Sequence, residues 1–254
     1  MQGTISVQQA LRQLEELAPP SLAEKWDNVG ALVECETPIN GILTTLDITA
    51  ESVEEAARRQ CQLIVSHHPV IFEPLRRIHY NSIIYKMIRA GISGICMHTN
   101  LDCAVGGTGD TLAALLQLRQ VQPFCVDGDP QLGRIGTLAQ PCTVQQLAQT
   151  CRRTLQTPVR YVESGRPVQR VAIVTGAGAY WADALAAGAD ALVTGEVGYH
   201  KALDAAAHGL GLVEAGHYGT EAPIAAVLAE RLQAAFPDIR VYASQQMRDV
   251  FRTL

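Results

Sequence analysis

Apolar and polar positions follow two periods along this chain. Near its start, Val7, Leu11, Leu14 and Leu17 recur at helical spacing with acids between them, and Pro19-Pro20 ends the run. That spacing predicts an amphipathic helix. Short apolar runs of β type then alternate with helical patterns. GILTTLD, ESVEEAARRQ and CQLIVS come first, then NSIIYKMIRAG, ISGICMH and GDTLAALLQL. The second half reads RIGTLA, TVQQLAQTCRRTL, VRYVE and VQRVAIVT, then WADALAAGA, DALVTG, HKALDAAAHG, LGLVEAG and APIAAVLAERLQAAF, and IRVYAS closes the pattern. Such alternation predicts an α/β protein with parallel or mixed sheets.

The pattern also repeats. ESVEEAARRQCQLIVSHH reads like WADALAAGADALVTGE: a helix, then a strand ending at a polar pair. IRAGISGICMHTNLD reads like AHGLGLVEAGHYGTE, each carrying a His four residues before an acid, and each is followed by a further helix. This predicts a duplicated αβ unit, residues 1–124 holding the first copy and 125–254 the second.

Composition narrows the class. Of 254 residues, 48% are hydrophobic and 18% charged, so the chain is globular and not disordered. The net charge is −5 and no run of Lys or Arg forms a stripe, which removes the electrostatic basis for nucleic-acid binding. No apolar stretch approaches the roughly 18–20 residues of a membrane helix, and the start lacks the basic front of a signal peptide. The seven cysteines include no C-x-x-C pair. Reduced, mostly buried thiols in a cytoplasmic protein are expected, not a disulfide frame or a thiolate zinc site.

The candidate chemistry gathers where strands end, the place where open α/β sheets bind ligands. His67 and His68 follow one predicted strand, His98 and Asp102 the next, Glu196 a third, and His217 and Glu221 a fourth. Neighbours on a strand point to opposite faces, so His67 and His68 suit two ions, one each, better than a single ion. Imidazole with carboxylate favours zinc, manganese or iron over calcium. Each residue also has a simpler reading. Asp102 fits a turn, Thr220 a helix cap, and Glu221 a helix-dipole partner. His98 fits a hydrogen-bond donor to a metal-bound group, a proton shuttle, a third ligand or a packed ring. Glu196 and His200 in GEVGYH fit either the cleft or the cap of the next helix. WDN, Trp26 to Asn28, fits a turn or a site wall. GGTGD, Gly106 to Asp110, opens a helix and could meet an anion. VTGAGAYW lacks the third glycine of a dinucleotide fingerprint, and a tight βα turn is the better reading.

Taken together, AEKWDNVGALVE, SHHPVIF, HTNLDCAVGG, TGEVGYHKALDA and GHYGTE resemble the dinuclear-metal family of the bacterial GTP cyclohydrolase type 2 homologues, the Ngg1-interacting-factor-like proteins. The resemblance spans about Ala23 to Glu221 and rests on the order and joint spacing of the motifs. It implies ligation of two divalent ions per chain by His67, His68, Asp102, His217 and Glu221, with Glu221 bridging. Three donors per ion would leave room for water or substrate. It also implies intertwined αβ units and a homohexamer. The implied activity is metal-dependent hydrolysis of a nucleotide or phosphoester, with GTP ring opening as the named case and His98 as the candidate proton shuttle. The alternative is a non-catalytic, metal-dependent scaffold or regulator.

Overall fold

The computed structural model describes residues 3–253. Helix α1 (Val7–Leu17) starts at a capping box. Ser6 Oγ accepts the N–H of Gln9 at 3.2 Å, and Gln9 Oε1 accepts the N–H of Ser6 at 2.9 Å. Then follow β1 (Gly30–Val33), β2 (Gly41–Thr45), α2 (Ala50–Arg58), β3 (Leu63–Ser66), α3 (Ile83–Ala90), β4 (Ser93–Cys96), α4 (Thr99–Cys103) and α5 (Thr108–Leu115).

After a hairpin of β5 (Arg119–Val126) and β6 (Asp129–Cys142), the same order returns. It runs α6 (Val144–Leu155), β7 (Arg160–Val162), β8 (Val168–Val174), α7 (Trp181–Ala186), β9 (Ala191–Thr194), α8 (Tyr199–Ala207), β10 (Gly211–Glu214), α9 (His217–Glu221) and α10 (Ile224–Ala235). Even the capping box recurs, with Thr143 and Gln146 opening α6. Strand β11 (Arg240–Ala243) comes last.

Strand pairing repeats as well. β2, β3 and β4 run parallel, and β1 lies antiparallel on β4. β8, β9 and β10 run parallel, and β7 lies antiparallel on β10. Chance likeness between α/β segments does not reproduce both element order and pairing, so the two duplicated units with mixed sheets are borne out. The edge beyond β2 is filled by β11, and the edge beyond β8 by the β5–β6 hairpin. Every residue of β2, β3, β4 and β9 is buried, which explains why these strands read as unbroken runs without alternation.

The last helix of each repeat is exchanged. One compact unit extends to Val105 and takes back Ile224–Arg248, so it holds α10 and β11. The other is Gly106–Pro223 with the chain from Asp249, so it holds α5 and the hairpin. The division therefore falls at 105/106 and 223/224, whereas the sequence reading cuts once at 124/125. Packing explains the difference. Ile224, Leu228 and Leu232 of α10 share a core with Leu14, Ile42 and Leu63, while Leu112 and Leu116 of α5 share one with Val144, Leu147 and Val171.

Candidate metal centre

In the unit that begins the chain, Thr45, Ser66 and Cys96 are register partners at the carboxyl ends of β2, β3 and β4. The next residues on these three strands include Asp47, the pair His67 and His68, and His98. Their backbone is fixed by its neighbours. The N–H of His67 donates to Thr45 O at 3.2 Å, that of His68 to Leu46 O at 2.9 Å, and Ser66 Oγ donates to His68 O at 2.7 Å.

The rings of His67, His68 and His98 pack on one another, with centroids 5.1, 5.2 and 5.6 Å apart, and each offers a ligand atom within 4.8 Å of the other two. The expected opposite orientation of His67 and His68 does not hold. Strand β3 ends at Ser66, and the strict alternation of side chains ends with it. His67 is fully buried. Its Nδ1 lies 2.8 Å from Met97 O, and its Nε2 lies 3.6 Å from Asp102 Oδ1 on α4. His68 Nδ1 lies 2.8 Å from Asp47 Oδ1.

His98 is the N-cap residue of α4, and its Nδ1 lies 2.8 Å from Asp27 Oδ1. The other oxygen of Asp27 accepts the N–H of Thr99 at 3.0 Å and the Thr99 hydroxyl. Burial opposes ionisation of Asp27, but these hydrogen bonds and the charge of His98 outweigh it and hold the carboxyl down at about 2. Asn28 Nδ2 donates to Ile71 O at 2.6 Å. WDN therefore closes a turn, with the N–H of Asp27 on Glu24 O at 3.0 Å, and also lies against His98. Sequence reasoning left that open and did not single out Asp47, because loop carboxylates have no periodicity that reveals their partners.

In the other unit, Val174, Thr194 and Glu214 are register partners at the ends of β8, β9 and β10. Past them stand Gly176, Glu196 and His217. His217 Nδ1 lies 2.7 Å from Glu196 Oε1, and His217 Nε2 lies 2.9 Å from Glu221 Oε2, one helical turn away on α9. The duplicated pairs are offset by one position: His98 stands two residues beyond β4, and His217 three beyond β10. Thr220 does not cap a helix. Its hydroxyl accepts the N–H of Gly176 at 3.1 Å and lies 3.0 Å from His217 O. Gly176 has φ +59°, and a Cβ there would lie 2.1 Å from Glu221 Oε1 and 3.2 Å from His217 Nε2. Only glycine leaves space for this pair.

Glu196 thus holds His217, and the N-cap position of α8 belongs to Gly198. His200 sits in the exposed first turn of α8 beside Tyr199. Asp110 of GGTGD accepts the N–H of Gly106 at 2.7 Å and Nε–H of Arg134 at 2.8 Å, so the loop is closed by its own acid.

One arrangement is common to all four site histidines. Nδ1 faces an oxygen of Met97, Asp47, Asp27 or Glu196 at 2.7–2.8 Å. An N–H at Nδ1 leaves the lone pair on Nε2. Two of those lone pairs face carboxylate oxygens, of Asp102 and Glu221. A cation relieves both acceptor–acceptor contacts, and carboxylate or carbonyl behind Nδ1 is the usual support of a metal-bound imidazole. The residues present fit a divalent ion.

Residues 5–249 match the Duf34/NIF3 (NGG1p interacting factor 3) family. The chain belongs to this family. Its curated relatives in the family include a "GTP cyclohydrolase 1 type 2 homolog" of Streptomyces coelicolor, 31% identical over 261 residues, covering 95% of this chain and 92% of the relative. Another is the "NIF3-like protein 1" of Drosophila melanogaster, 32% identical over 216 residues, covering 76% and 70%. The crystal structure of a Staphylococcus aureus hypothetical protein superposes with a TM-score of 0.89 at 29% identity, over 99% of this chain and 100% of that one. The family resemblance read from the motifs is therefore borne out.

Proposed function

We propose that this protein is a metal-dependent hydrolase acting on a nucleotide-like or phosphoester substrate. In this reading His67, His68, Asp102, His217 and Glu221 hold two divalent ions, zinc, manganese or iron, with Glu221 bridging. The observation that carries it is the anchoring of His67, His68 and His217 through Nδ1, which leaves Nε2 of each as the candidate ligand atom. Structural burial alone does not require each of these rings to set Nδ1 against an oxygen. When bound, such ions polarise substrate and can lower the pKa of a coordinated water to about 7.

The chain's own residues supply the rest. Asp27 fixes the His98 ring through Nδ1. That suits His98 to take a proton from water and return it to a leaving group, a role that typically contributes about 10²–10⁴-fold. GTP ring opening is the named possibility, supported by the names of curated relatives. Family likeness also supports a homohexamer, for which light scattering is the check: a monomer at micromolar concentration contradicts it.

The deciding experiment is elemental analysis of protein purified without added metal, followed by a screen of nucleotides and phosphoesters. About two ions per chain with turnover abolished by chelation is expected. A value that stays at or below one after reconstitution overturns the bridged centre. Two ions without turnover on any substrate favours a metal-dependent scaffold.

A further inference from the structure

Two large aromatic rings stand in solvent beside the imidazole group. Trp26 is 61% exposed and Phe72 52% exposed. They come from different loops, one leading into β1 and one following β3. Their centroids are 5.9 Å apart with planes tilted by 54°, and the centroids of Trp26 and His98 are 6.1 Å apart with planes at 75°. Solvent-facing aromatic area gains nothing from folding, yet this pair is held on both sides. Asp27, next to Trp26, grips His98 and Thr99, and Asn28 grips Ile71, next to Phe72. WDN therefore spends two polar side chains in fixing an aromatic surface at the imidazoles.

We propose that Trp26 and Phe72 form a stacking subsite for a planar heteroaromatic ring, the base of a nucleotide substrate. This rests on the hydrolase reading and narrows its substrate class. Trp presents a wide π face that takes any base, which gives sequence-tolerant affinity. A ring on the open face of Trp26 would carry its substituents alongside His98. Trp26 and Phe72 thus favour substrates that carry a base over those that lack one, without selecting among bases. A second copy of the chain is the competing occupant of an exposed aromatic surface, and the test includes it.

The chain has two tryptophans, Trp26 and Trp181. In a Trp181→Phe background, fluorescence therefore reports Trp26 alone. The metal-reconstituted protein is titrated with guanosine and adenosine monophosphates and with ribose 5-phosphate. The nucleotides should quench Trp26, and ribose 5-phosphate should not. By calorimetry, Trp26→Leu and Phe72→Leu should each weaken nucleotide binding about tenfold, the scale of one lost base–aromatic stack. Trp26→Phe should restore most of it, and ribose 5-phosphate affinity should not change. The proposal is overturned if neither nucleotide quenches, or if the leucine variants bind nucleotide like the parent. It is also overturned if those variants keep nucleotide affinity and instead break up the assembly in light scattering. Metal content is measured on the same samples. Quenching with fewer than two ions per chain keeps the stacking site and sinks the dinuclear centre, so the two failures are distinct.

Discussion

Asp27 divides its two oxygens between an imidazole and a helix: Oδ1 lies 2.8 Å from His98 Nδ1, and Oδ2 accepts the Thr99 N–H that opens α4. One buried carboxylate thereby sets both the ring of His98 and the helix that carries Asp102. Asp27→Asn keeps the shape and removes the charge. Loss of charge-assisted bonds of this kind costs about 1.5–3 kcal/mol. Urea unfolding should show that loss, and any turnover should fall while two ions stay bound. An unchanged midpoint would mean that Asp27 supports neither element.

Gly176 is expected to be intolerant for a steric reason. An alanine Cβ would stand 2.1 Å from Glu221 Oε1, on a backbone at φ +59°. The left-handed backbone alone costs a non-glycine residue roughly 1–2 kcal/mol. Displacement of Glu221 should cost metal as well. Gly176→Ala should therefore bind less than the wild-type amount of metal even where circular dichroism shows it folded. Full metal content in that variant would separate Glu221 from the centre.

Glu221 and Asp102 should differ in their effect on metal. If Glu221 bridges, Glu221→Gln loses both ions, because an amide keeps the shape and cannot offset the repulsion between two dications. Asp102→Asn should spare one ion, and His98→Ala should spare both and slow turnover. Metal stoichiometry on the three variants is the measurement. Two ions in Glu221→Gln, with none in Asp102→Asn, would put the bridge on the other acid.

Away from the centre, Glu55 ties α2 to the segment after β11. It accepts the hydroxyl of Ser244 at 2.6 Å, the N–H of Gln245 at 3.1 Å and Nε–H of Arg59 at 2.9 Å. Burial raises its pKa, but these bonds outweigh burial and hold it below the ordinary value of 4.5. A carboxyl lowered on folding stabilises fully above its unfolded value, and the gain is lost as pH falls through its folded value. Glu55→Gln should thus be less stable than wild type by about 1.5–3 kcal/mol at pH 7. The gap should narrow below pH 4.5. Urea midpoints of both proteins at pH 7 and pH 3.5 test this; a gap of equal size at both values refutes it.

The strand ends were legible because buried parallel strands read as short apolar runs, and LIVS before His67 or GLVE before the GH of His217 announces its own terminus. The repeat was legible because each copy keeps the same helix–strand order. Asp27 and Asp47 were not, since the partner of a loop acid is fixed by a chain crossing that no local pattern encodes. The exchange of α5 and α10 was hidden for a related reason. An apolar helix face fits either sheet, and Leu112 or Leu228 carries no mark of which core it joins. The joint disposition of His67 and His68 was misjudged because the alternation rule was extended one residue past the end of a strand.

That exchange sets an order of events during synthesis. Ile224, Leu228 and Leu232 complete the core around Leu14, Ile42 and Leu63, yet more than a hundred residues separate them from Val105. At ribosomal speeds of about 5–20 residues per second, the first-made sheet waits on the order of ten seconds for its covering helix. During that interval its apolar face is open to chaperones and to neighbouring nascent chains. Neither repeat, expressed alone, carries its own lid, so a cut between the copies yields two fragments that are each completed only by the other.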